Sequence, residues 1–490
     1  MGLVTRRAFL NTAALAGAGT FALRCGRAAA PAARIHDVAI LGAGMAGLTA
    51  ARDLAHAGLG IVVLEASDRV GGRMQSLKDP APHGLEIGAQ MIHGSRATTW
   101  SLVHEFGLKT RPLEGGWSTA RWVPGRGFQK SDPALRDRLL RRLQEAYGAY
   151  RGDDITYQQF LDDHKFTADE KDMLAYAALT WSAEPDEVSL QAAMEDEAAW
   201  DTYVDMNYQI MGGYRQLYER MGADAGERVR LKSLVKAVDW SGDGVQITCD
   251  REGTTDTVRA RRAIITLPIG VLQSGQPVFN PALPGWKRRA IDVLPMGRVV
   301  VVSLLFDDWF WHQPPYGVQG WSMRGGRVSF WDPHPPGKGM PGLQGWITGR
   351  PAQELSDLGQ DGALQKVLEW IEEACPKSSA RKRLQWSHVR DWVRDPFTLG
   401  SYSYTRPGAG GQRAVLATPI QDRLYFAGEA TEPAPHYQTV HGAYNSGRRT
   451  AREILAALGM DVTALLRAPA GGAAASLTAP AGAVSAAGPA

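Results

Sequence analysis

A glycine-rich turn between a strand and a helix, near the amino terminus, constrains the fold more than any other feature of the sequence. Residues 36–41 (HDVAIL) predict a short apolar strand, residues 42–58 (GAGMAGLTAARDLAHAG) predict a helix, and residues 61–66 (IVVLEA) predict a second strand that ends at Glu65. Parallel strands need a crossover connection, which is usually a helix. The three elements therefore predict a βαβ unit and an α/β protein.

The spacing of three glycines in this turn is typical of a dinucleotide site. Gly42 permits the tight turn, Gly44 lets the backbone approach a pyrophosphate, and Gly47 lets helix and strand pack closely. The helix amino terminus offers N–H groups and a positive dipole to phosphates. Glu65 is placed to accept hydrogen bonds from ribose hydroxyls. These residues suit both NAD and FAD.

Two further segments favour FAD. Residues 66–73 (ASDRVGGR) follow Glu65 directly, and a second glycine pair can carry the chain along a pyrophosphate whose charge Arg73 neutralises. Towards the other end of the chain, Gly428 again permits close backbone approach, and Glu429 can accept from ribityl or phosphate-linked groups. Because both ends of the chain close around the cofactor, a long dinucleotide such as FAD is favoured.

The rest of the chain indicates several domains, because 490 residues are too many for one ordinary core. Charge-rich helices are predicted at 132–150 and 168–180, and strands return from residue 229. Four valines at 299–302 predict a strand buried on both faces, since β-branched residues suit a packed, pleated surface. The chain therefore leaves the nucleotide domain and returns to it.

These motifs together resemble the flavin-containing amine oxidase family, and the resemblance extends over residues 37–458. The family includes monoamine oxidases, polyamine oxidases, L-amino-acid oxidases and flavin-dependent histone demethylases. TVHGA and GAQMIHG look closest to the polyamine oxidase and demethylase branch. The matching segments are GAGMAGL (42–48), LEASDRVGGRM (64–74), GLEIGAQMIHG (84–94), IMGGY (210–214), VRLKSLV (229–235), ITLPIGVL (265–272), GSYSY (400–404), YFAGEAT (425–431) and TVHGAYNSG (439–447).

The resemblance implies an α/β, two-domain flavin amine oxidase fold. A Rossmann-like FAD domain would be covered by a substrate domain that combines a mixed sheet with helices. We expect the FAD-binding domain at 34–96, 206–270 and 396–459, and the substrate-binding domain at 97–205 and 271–395. Both domains are thus expected to be discontinuous in sequence.

The resemblance also implies which residues contact FAD. Glu65 and Arg73 would bind its adenosine and pyrophosphate parts, and Val235 would meet the adenine through its backbone. Residues 88–91 would line the flavin, with Glu429 near the ribityl chain. The expected cofactor-binding residues are Gly42, Ala43, Gly44, Met45, Ala46, Gly47, Glu65, Ala66, Gly72, Arg73, Gly88, Ala89, Gln90, Met91, Val235, Gly428, Glu429, Thr439 and Val440.

On the substrate side, Tyr402 matches one wall of the family's aromatic cage, and Thr439 stands where the second wall is often a tyrosine. His93 matches a histidine that lies close to the substrate in polyamine oxidases, and a histidine packed in its loop is an equal alternative. Some monoamine oxidases attach FAD through a cysteine just before the cage tyrosine. Ser401 occupies that position and cannot form the thioether, so we expect non-covalent FAD.

Most family members also place a lysine on the strand that contains the four valines. That lysine holds a water against flavin N5 and favours electron transfer to oxygen. Alignment on Phe306 and Trp311 puts the lysine position at Val301, and a register slipped by two residues puts it at Val299. Either position is apolar, so this chain is expected to depart from the family pattern.

The reaction implied by the resemblance oxidises the C–N bond of an amine, either a polyamine or another primary or secondary amine. A hydride passes to flavin N5, and the resulting imine hydrolyses. Electrons would then reach oxygen, giving H2O2, or another acceptor. The residues leave three alternatives open: an L-amino-acid oxidase, a flavin desaturase, and a non-catalytic flavoprotein scaffold. A nicotinamide dehydrogenase would not need the segments around Arg73 and Glu429.

Acidic residues of the helical region could attract a polycation, although a solvated face is the more ordinary interpretation of Glu184, Asp186, Asp201 and Asp205. A formal net charge of +3 gives no indication of nucleic-acid binding. No metal site is predicted. Cys249 and Cys375 are too few for a disulfide framework, and whether they pair is left open.

The amino-terminal residues 1–33 have the layout of a twin-arginine export signal. Residues 5–10 (TRRAFL) precede a short apolar stretch and an alanine-rich segment. The stretch is too short and too rich in Gly and Ala to predict a membrane span. We therefore expect a periplasmic or extracellular protein, with a disordered Ala/Gly/Pro-rich tail at 468–490.

Overall fold

The computed structural model of the protein describes residues 34–80, 84–113, 120–130, 132–174, 181–333, 339–433 and 436–462. From Ile35 onward the described residues belong to one compact unit. The expected export signal at 1–33 and the expected disordered tail at 468–490 lie outside the described residues. The domain boundaries given above stay a prediction.

The described residues form strands and α-helices throughout the chain. The strands are β1 (Ile35–Leu41), β2 (Ile61–Leu64), β3 (Ser76–Leu77), β4 (Leu85–Glu86), β5 (Ile92–His93), β6 (Thr110–Pro112), β7 (Ala120–Val123), β8 (Gly127–Lys130), β9 (Asn207–Ile210), β10 (Val229–Arg230), β11 (Ser233–Asp239), β12 (Val245–Arg251), β13 (Thr254–Ile265), β14 (Val278–Asn280), β15 (Val299–Phe306), β16 (Gly320–Met323), β17 (Val328–Trp331), β18 (Gly342–Thr348), β19 (Leu384–Asp391) and β20 (Leu424–Phe426). The helices are α1 (Met45–His56), α2 (Trp100–Glu105), α3 (Pro133–Ala149), α4 (Tyr157–Asp163), α5 (Ala168–Leu174), α6 (Leu190–Tyr203), α7 (Arg215–Ala225), α8 (Ile269–Gln273), α9 (Gly285–Val293), α10 (Gly349–Ala374, interrupted at Gly359), α11 (Ala380–Arg383), α12 (Gln412–Ala417) and α13 (Val440–Ala457).

The first large sheet contains the predicted βαβ unit. Its eight strands follow the order β10-β2-β1-β13-β12-β11-β14, with β20 beside β13. β1 is parallel to β2 and β13, and β20 is parallel to β13. Leu41, Ile265 and Phe426 are aligned in register. The carboxyl ends of three strands therefore meet at one edge, which is where open parallel sheets bind ligands.

Helices α1 and α13 cover one face of this sheet and pack directly against each other. A Cβ on Gly447 of α13 would lie 2.4 Å from the backbone oxygen of Ala46 in α1. Leu48 and Leu54 of α1 and Ile454 of α13 are buried in the same core. The close approach requires glycine at position 447, because any side chain there would force the helices apart.

The second large sheet has seven strands in the order β19-β15-β18-β17-β16-β7-β8. Both neighbours of β15 are antiparallel to it, whereas β16 and β7 are parallel, so the sheet is mixed as expected. All eight residues of β15 are buried. The prediction of a strand buried on both faces is therefore confirmed.

The two faces of β15 contact different parts of the molecule, because alternate residues point to opposite sides. Val300 and Val302 join the core between the second sheet and helix α10. Val299 and Val301 instead contact Trp392, with Trp346 and Tyr402 packed against them. The face that carries Val301 is thus the face that carries the predicted cage tyrosine.

The helical region from α3 to α6 has a hydrophobic core of its own. Helices α3 to α6 supply buried apolar residues such as Leu143, Phe160 and Ala193, and Tyr404 joins them from the GSYSY segment.

Cys249 and Cys375 are both buried and free, so they do not pair with each other. Within the described ranges, no helix combines the length and the apolarity needed to cross a membrane.

Candidate active site

The glycine turn at 42–47 connects β1 to α1 at the carboxyl edge of the first sheet. A Cβ on Gly47 would lie 2.0 Å from the Gly42 oxygen, and one on Gly42, whose φ is +110°, would lie 2.6 Å from Thr266 Oγ1. These two glycines are required by the protein's own packing. A Cβ on Gly44 would meet no described atom within 4 Å. Open space beside this glycine fits close approach by a ligand.

The carboxylate of Glu65 anchors this turn. Glu65 directly follows β2, is buried, and accepts hydrogen bonds from the Ala43 N–H at 2.7 Å and from the Ser67 N–H and hydroxyl at 2.9 and 2.8 Å. The Ser233 N–H donates to the backbone oxygen of Glu65 at 2.7 Å, which brings the start of β11 beside Glu65. Val235, two residues further along β11, is therefore near the predicted adenosine end of the site.

The second glycine segment lies directly against the first. The Gly71 N–H donates to the Ala43 oxygen at 2.8 Å, and a Cβ on Gly72 would lie 3.2 Å from the Gly44 Cα. The next residue, Arg73, is 26% exposed and extends towards the carboxyl-terminal part of the chain. The two segments predicted to follow a pyrophosphate therefore form one surface.

Arg73 and Glu429 form an ion pair, with Nη1 and Oε1 2.9 Å apart. Glu429 is buried and also accepts from the Ser403 N–H at 3.1 Å, the Ser403 hydroxyl at 2.8 Å and the Gln438 N–H at 3.1 Å. Burial acts to raise the pKa of Glu429, but the charges of Arg73 and Arg413 hold it below its usual value. The two predicted cofactor residues are thus direct partners of each other.

A small cleft opens where these segments meet. Its lining includes Arg73, Gly428 and Glu429, together with Leu267, two residues after β13, and Phe426, the last residue of β20. Gly428 has φ of +128° and would meet no described atom within 4 Å if it carried a Cβ. Glycine is thus needed there for its backbone conformation and leaves the surface open, as at Gly44.

Residues 88–91 are held against Arg73 from the other side. A Cβ on Gly88 would lie 2.1 Å from the Arg73 oxygen, and the Ala89 N–H donates to that oxygen at 3.1 Å. Gln90 Nε2 donates to the Glu86 oxygen at 3.0 Å, and the Met91 oxygen accepts from a tyrosine hydroxyl at 2.7 Å. The structure therefore brings this segment beside the predicted cofactor surface.

Tyr402 lies in apolar, aromatic surroundings made by Val301, Trp346 and Trp392. Its backbone is held by the Gly297 N–H, which donates to the Tyr402 oxygen at 2.7 Å. Burial raises the pKa of Tyr402 to about 12, against hydrogen bonds that act to lower it. The phenol is neutral at physiological pH, in a pocket that disfavours any charged group.

His93 is packed and neutral. Its Nδ1 lies 2.9 Å from Asn207 Oδ1, and its ring meets Trp200 edge to face with centroids 4.7 Å apart. Burial lowers the pKa of His93 to about 4. The contact with Asn207 favours the tautomer with the proton on Nδ1, which leaves Nε2 as an acceptor. Both interpretations of His93 stay open, since a packed histidine can still present one nitrogen.

The hydroxyl of Thr439 is used to begin helix α13. Thr439 Oγ1 accepts from the Gly442 N–H at 2.9 Å and donates to the His436 oxygen at 2.5 Å. Val440 is the first residue of the helix. His441 is buried, and burial with the nearby His93 and His436 lowers its pKa to about 3. Thr439 therefore supplies a helix cap, and its place as a cage wall stays a prediction.

Two of the acidic residues considered for attracting a polycation have arginine partners. Glu184 is buried, with Oε2 3.4 Å from Arg327 Nε and 3.7 Å from Arg350 Nη1. Asp186 pairs with Arg350 at 2.5 Å. Asp205 accepts from the Ser95 N–H at 2.8 Å. The solvated-face interpretation is wrong for Glu184, because the arginine partners allow that carboxylate to be buried.

Three residues of this network had no prediction. Ser403 and Gln438 touch Glu429 directly, and Arg413 donates to the Ser403 hydroxyl at 2.7 Å. Ser403 could have been found from its place in the GSYSY segment. Arg413 follows a glycine-rich stretch that is typical of a loop, and nothing local indicates that its side chain is buried.

Comparison with known proteins agrees with this geometry. The profile of the family described as flavin containing amine oxidoreductase matches residues 45–455. A flavin-containing amine oxidase of Danio rerio is 26% identical over 463 residues, covering 87% of both chains. The human lysine-specific histone demethylase 2 is 29% identical over 465 residues, covering 86% of this chain and 53% of the demethylase.

Solved structures show the same fold. Putrescine oxidase bound to putrescine superimposes with a TM-score of 0.74 at 23% identity, covering 86% of this chain and all of that one (100%). Cyclohexylamine oxidase from Brevibacterium oxydans gives a TM-score of 0.72 at 22% identity, covering 87% of this chain and 100% of the other.

The two large sheets and the site between their segments are those of a two-domain flavin amine oxidase fold. The chain belongs to the flavin-containing amine oxidoreductase family and is a flavin-dependent amine oxidase. Its cofactor is FAD. The open surfaces beside Gly44 and Gly428, with Arg73 between them, fit a dinucleotide, and Ser401 offers no thiol, so the FAD is bound non-covalently. The contacts expected of each cofactor residue stay predictions.

Proposed function

We propose that this enzyme oxidises the C–N bond of a primary or secondary amine whose carbon substituent is apolar. The observation that carries the proposal is the position of Tyr402, which packs in the cluster of Val301, Trp346 and Trp392. The neighbouring Ser401 oxygen accepts from Arg73, and Trp392 donates to the Ile87 oxygen, so this cluster adjoins the predicted cofactor segments. Bound FAD would supply the acceptor for the hydride that leaves the carbon beside the nitrogen. The imine that results would hydrolyse to a carbonyl compound and ammonia or a smaller amine.

The role of the pocket is to bind the amine in its neutral form. Desolvation raises the pKa of Tyr402 and by the same physics lowers the pKa of an enclosed amine. The nitrogen lone pair is then free to assist hydride departure. Tyr402 and the tryptophans would orient the amine and exclude water, and His93, kept neutral by burial, would add no competing positive charge.

Charge in the helical region supports a monoamine over a polycation. Glu184 and Asp186 are neutralised by Arg327 and Arg350, so they offer little attraction to a second ammonium group. The aromatic pocket around Tyr402 suits an apolar substituent instead. The solved relatives named for putrescine and for cyclohexylamine represent the two alternatives, a diamine and an apolar monoamine.

Val301 supports the proposal that electrons go to an acceptor other than oxygen. A cation beside the flavin favours oxygen reduction, and the position expected for the family lysine is a fully buried valine within an apolar cluster. We also propose that the enzyme is exported by the twin-arginine route, on the strength of residues 5–10, and meets this acceptor outside the cytoplasm.

The test mixes the purified holoenzyme anaerobically with matched amines: cyclohexylamine, a phenylalkylamine, putrescine and spermidine, with an L-amino acid as a further arm. We expect the flavin absorption to bleach with the apolar monoamines and not with the polycations. Reoxidation is then followed with air and with an artificial quinone. Fast recovery with the quinone and slow recovery with air is the expected result.

The same panel contains the outcomes that contradict each part. Bleaching by putrescine or spermidine alone would overturn the monoamine proposal. Bleaching by the amino acid alone would favour an L-amino-acid oxidase. Rapid recovery in air would remove the proposal about the acceptor, and no bleaching with any amine would remove the proposed amine oxidation.

A further inference from the structure

Ser403 links the cage tyrosine to the cofactor glutamate. Its N–H and hydroxyl donate to the two oxygens of Glu429 at 3.1 and 2.8 Å, and its backbone oxygen accepts from Gln438 Nε2 at 2.9 Å. Ser403 has no exposed surface. Because Ser403 directly follows Tyr402, whatever holds this serine also sets the backbone that presents the tyrosine.

The residue that holds Ser403 is Arg413 of helix α12. Arg413 Nη1 donates to the Ser403 hydroxyl at 2.7 Å, and Nη2 lies 3.4 Å from the Ser403 oxygen and 3.3 Å from Thr405 Oγ1. The guanidinium also stacks on the Tyr437 ring, 3.7 Å from its centroid. The hydroxyl of Tyr437 donates in turn to Asp196 of helix α6.

A buried guanidinium is costly unless its donors and charge are matched. Arg413 is 8% exposed, and the structure describes no direct ion pair for it. Arg413 is instead connected to Glu429 through the Ser403 hydroxyl, which accepts from Arg413 and donates to Glu429. Arg73 pairs with Oε1 of Glu429 and the Ser403 hydroxyl donates to Oε2, so the positive charges of both arginines act on one carboxylate.

We propose that Arg413 is a positioning residue for amine oxidation, holding Tyr402 and Glu429 in one fixed arrangement through Ser403. The inference rests on the proposed function for its effect on turnover. Its effect on the cofactor surface is independent of the substrate, since Glu429 and Arg73 line the cleft whichever amine is oxidised.

The experiment compares R413M and R413K with the wild-type holoenzyme and with apoprotein titrated with FAD. We expect R413M to raise the Kd of FAD about tenfold or more, because the lost hydrogen bonds free Ser403 and Glu429 to leave the arrangement in which Glu429 and Arg73 line the cleft. We also expect an altered visible circular dichroism spectrum of bound flavin, and a fall in kcat that exceeds any change in KM. R413K should recover part of each effect, because it restores the charge but not the planar fork.

The matched control is R52M. Arg52 of helix α1 pairs directly with a carboxylate, Glu105, and like Arg413 lies over an aromatic ring, with the guanidinium 5.7 Å from the Phe106 centroid. No contact joins it to Ser403 or Glu429 in the part of the chain that the structure describes. R52M should lower the melting temperature while leaving the Kd of FAD and the flavin spectrum unchanged.

The proposal is overturned if FAD-saturated R413M keeps the wild-type kcat and flavin spectrum while losing only thermal stability, as R52M does. Should R413M fail to fold, S403A removes the same link and keeps the cation; an unchanged Kd and spectrum in S403A would also overturn the proposal. If the wild type oxidises no amine, the proposed function fails, whereas FAD affinity and the flavin spectrum still decide the role of Arg413.

Discussion

At the scale of single residues, Val301 determines the character of the β15 face that contacts Tyr402. The alternation of β15 places Val299 and Val301 on the face of Tyr402 and places Val300 and Val302 in the opposite core. A register slipped by two residues would leave an apolar side chain at the same face, as the sequence indicates. A cation introduced at Val301 would therefore enter the apolar cluster beside Tyr402 and not the core under α10.

We expect V301K to increase the rate constant for reoxidation of the reduced enzyme by oxygen about tenfold or more. A unit charge close to a reacting centre is worth a few kcal/mol at the low effective dielectric constant of a protein interior. Stopped-flow reoxidation in air-saturated buffer measures the change. V301M, which has similar length and no charge, is the control, and an equal increase in V301M would show that added volume and not charge is responsible.

At the scale of elements, helix α13 depends on its first residues. Thr439 caps it by accepting from the Gly442 N–H at 2.9 Å, and a Cβ on Gly442 would lie 1.9 Å from the His436 oxygen. Further along, Gly447 allows contact with α1. The motif TVHGAYNSG thus combines a local cap with two close approaches, one to the nearby His436 and one to helix α1. These packing demands account for three of its residues without any contact to a ligand.

The hydroxyl of Thr439 can be tested as a cap. Loss of an N-cap side chain costs about 0.5–2 kcal/mol, so T439A should lower the free energy of unfolding by about 1 kcal/mol. T439S keeps the acceptor oxygen and should remain within a few tenths of wild type. Urea denaturation of the apoprotein measures both variants. Equal stability of T439A and T439S would contradict the capping role.

At the scale of the whole molecule, the second sheet reaches the cofactor segment through two side chains. Trp392, just after β19, donates from Nε1 to the Ile87 oxygen at 2.8 Å. Gln344 of β18 donates from Nε2 to the Glu86 oxygen at 2.7 Å and to Ser303 Oγ at 3.0 Å. These bonds join β15 and its neighbours to the strand and loop that precede residues 88–91, so the substrate side and the cofactor side are linked directly.

We expect W392F to be more destabilising than W321F. W392F leaves the buried Ile87 oxygen without its donor, which costs about 1–3 kcal/mol beyond the loss of ring volume. Trp321 is also buried, but its Nε1 has no partner among the described residues, so W321F removes volume alone. Chemical denaturation of the two variants gives the difference. Equal losses would mean that the bond to Ile87 contributes nothing.

The local sequence was a good guide where structure depends on neighbours along the chain. The βαβ unit, the glycine turn and the buried strand of valines are all confirmed, because apolar periodicity and glycine positions act within a few residues. The helix predicted at 132–150 is observed at Pro133–Ala149, where Asp132 Oδ1 accepts from the Leu135 N–H at 3.0 Å as its cap. The resemblance to a family extended these local signals to a complete fold.

Charge pairing could not be predicted in the same way, because it joins residues far apart in sequence. Arg73 and Glu429 are separated by 356 positions, and each was expected to serve FAD without reference to the other. Glu184 was expected on a solvated face and is buried by arginines on distant elements. The packing of distant elements determines which charged residues become partners. The residues adjacent in sequence therefore do not indicate the partner.

The sequence by itself determined the class of this protein: a parallel βαβ unit with a dinucleotide turn, and a flavin amine oxidase pattern from residue 37 to 458. Only the tertiary structure decided that Val301 lies against Tyr402, that Glu184 is buried with arginine partners, and that Arg413 is buried and joined to Glu429 through Ser403. The physical reason is the separation in sequence over which each effect acts. Backbone conformation and apolar alternation are set by near neighbours, whereas burial of a charge is settled by which distant groups the fold brings to it.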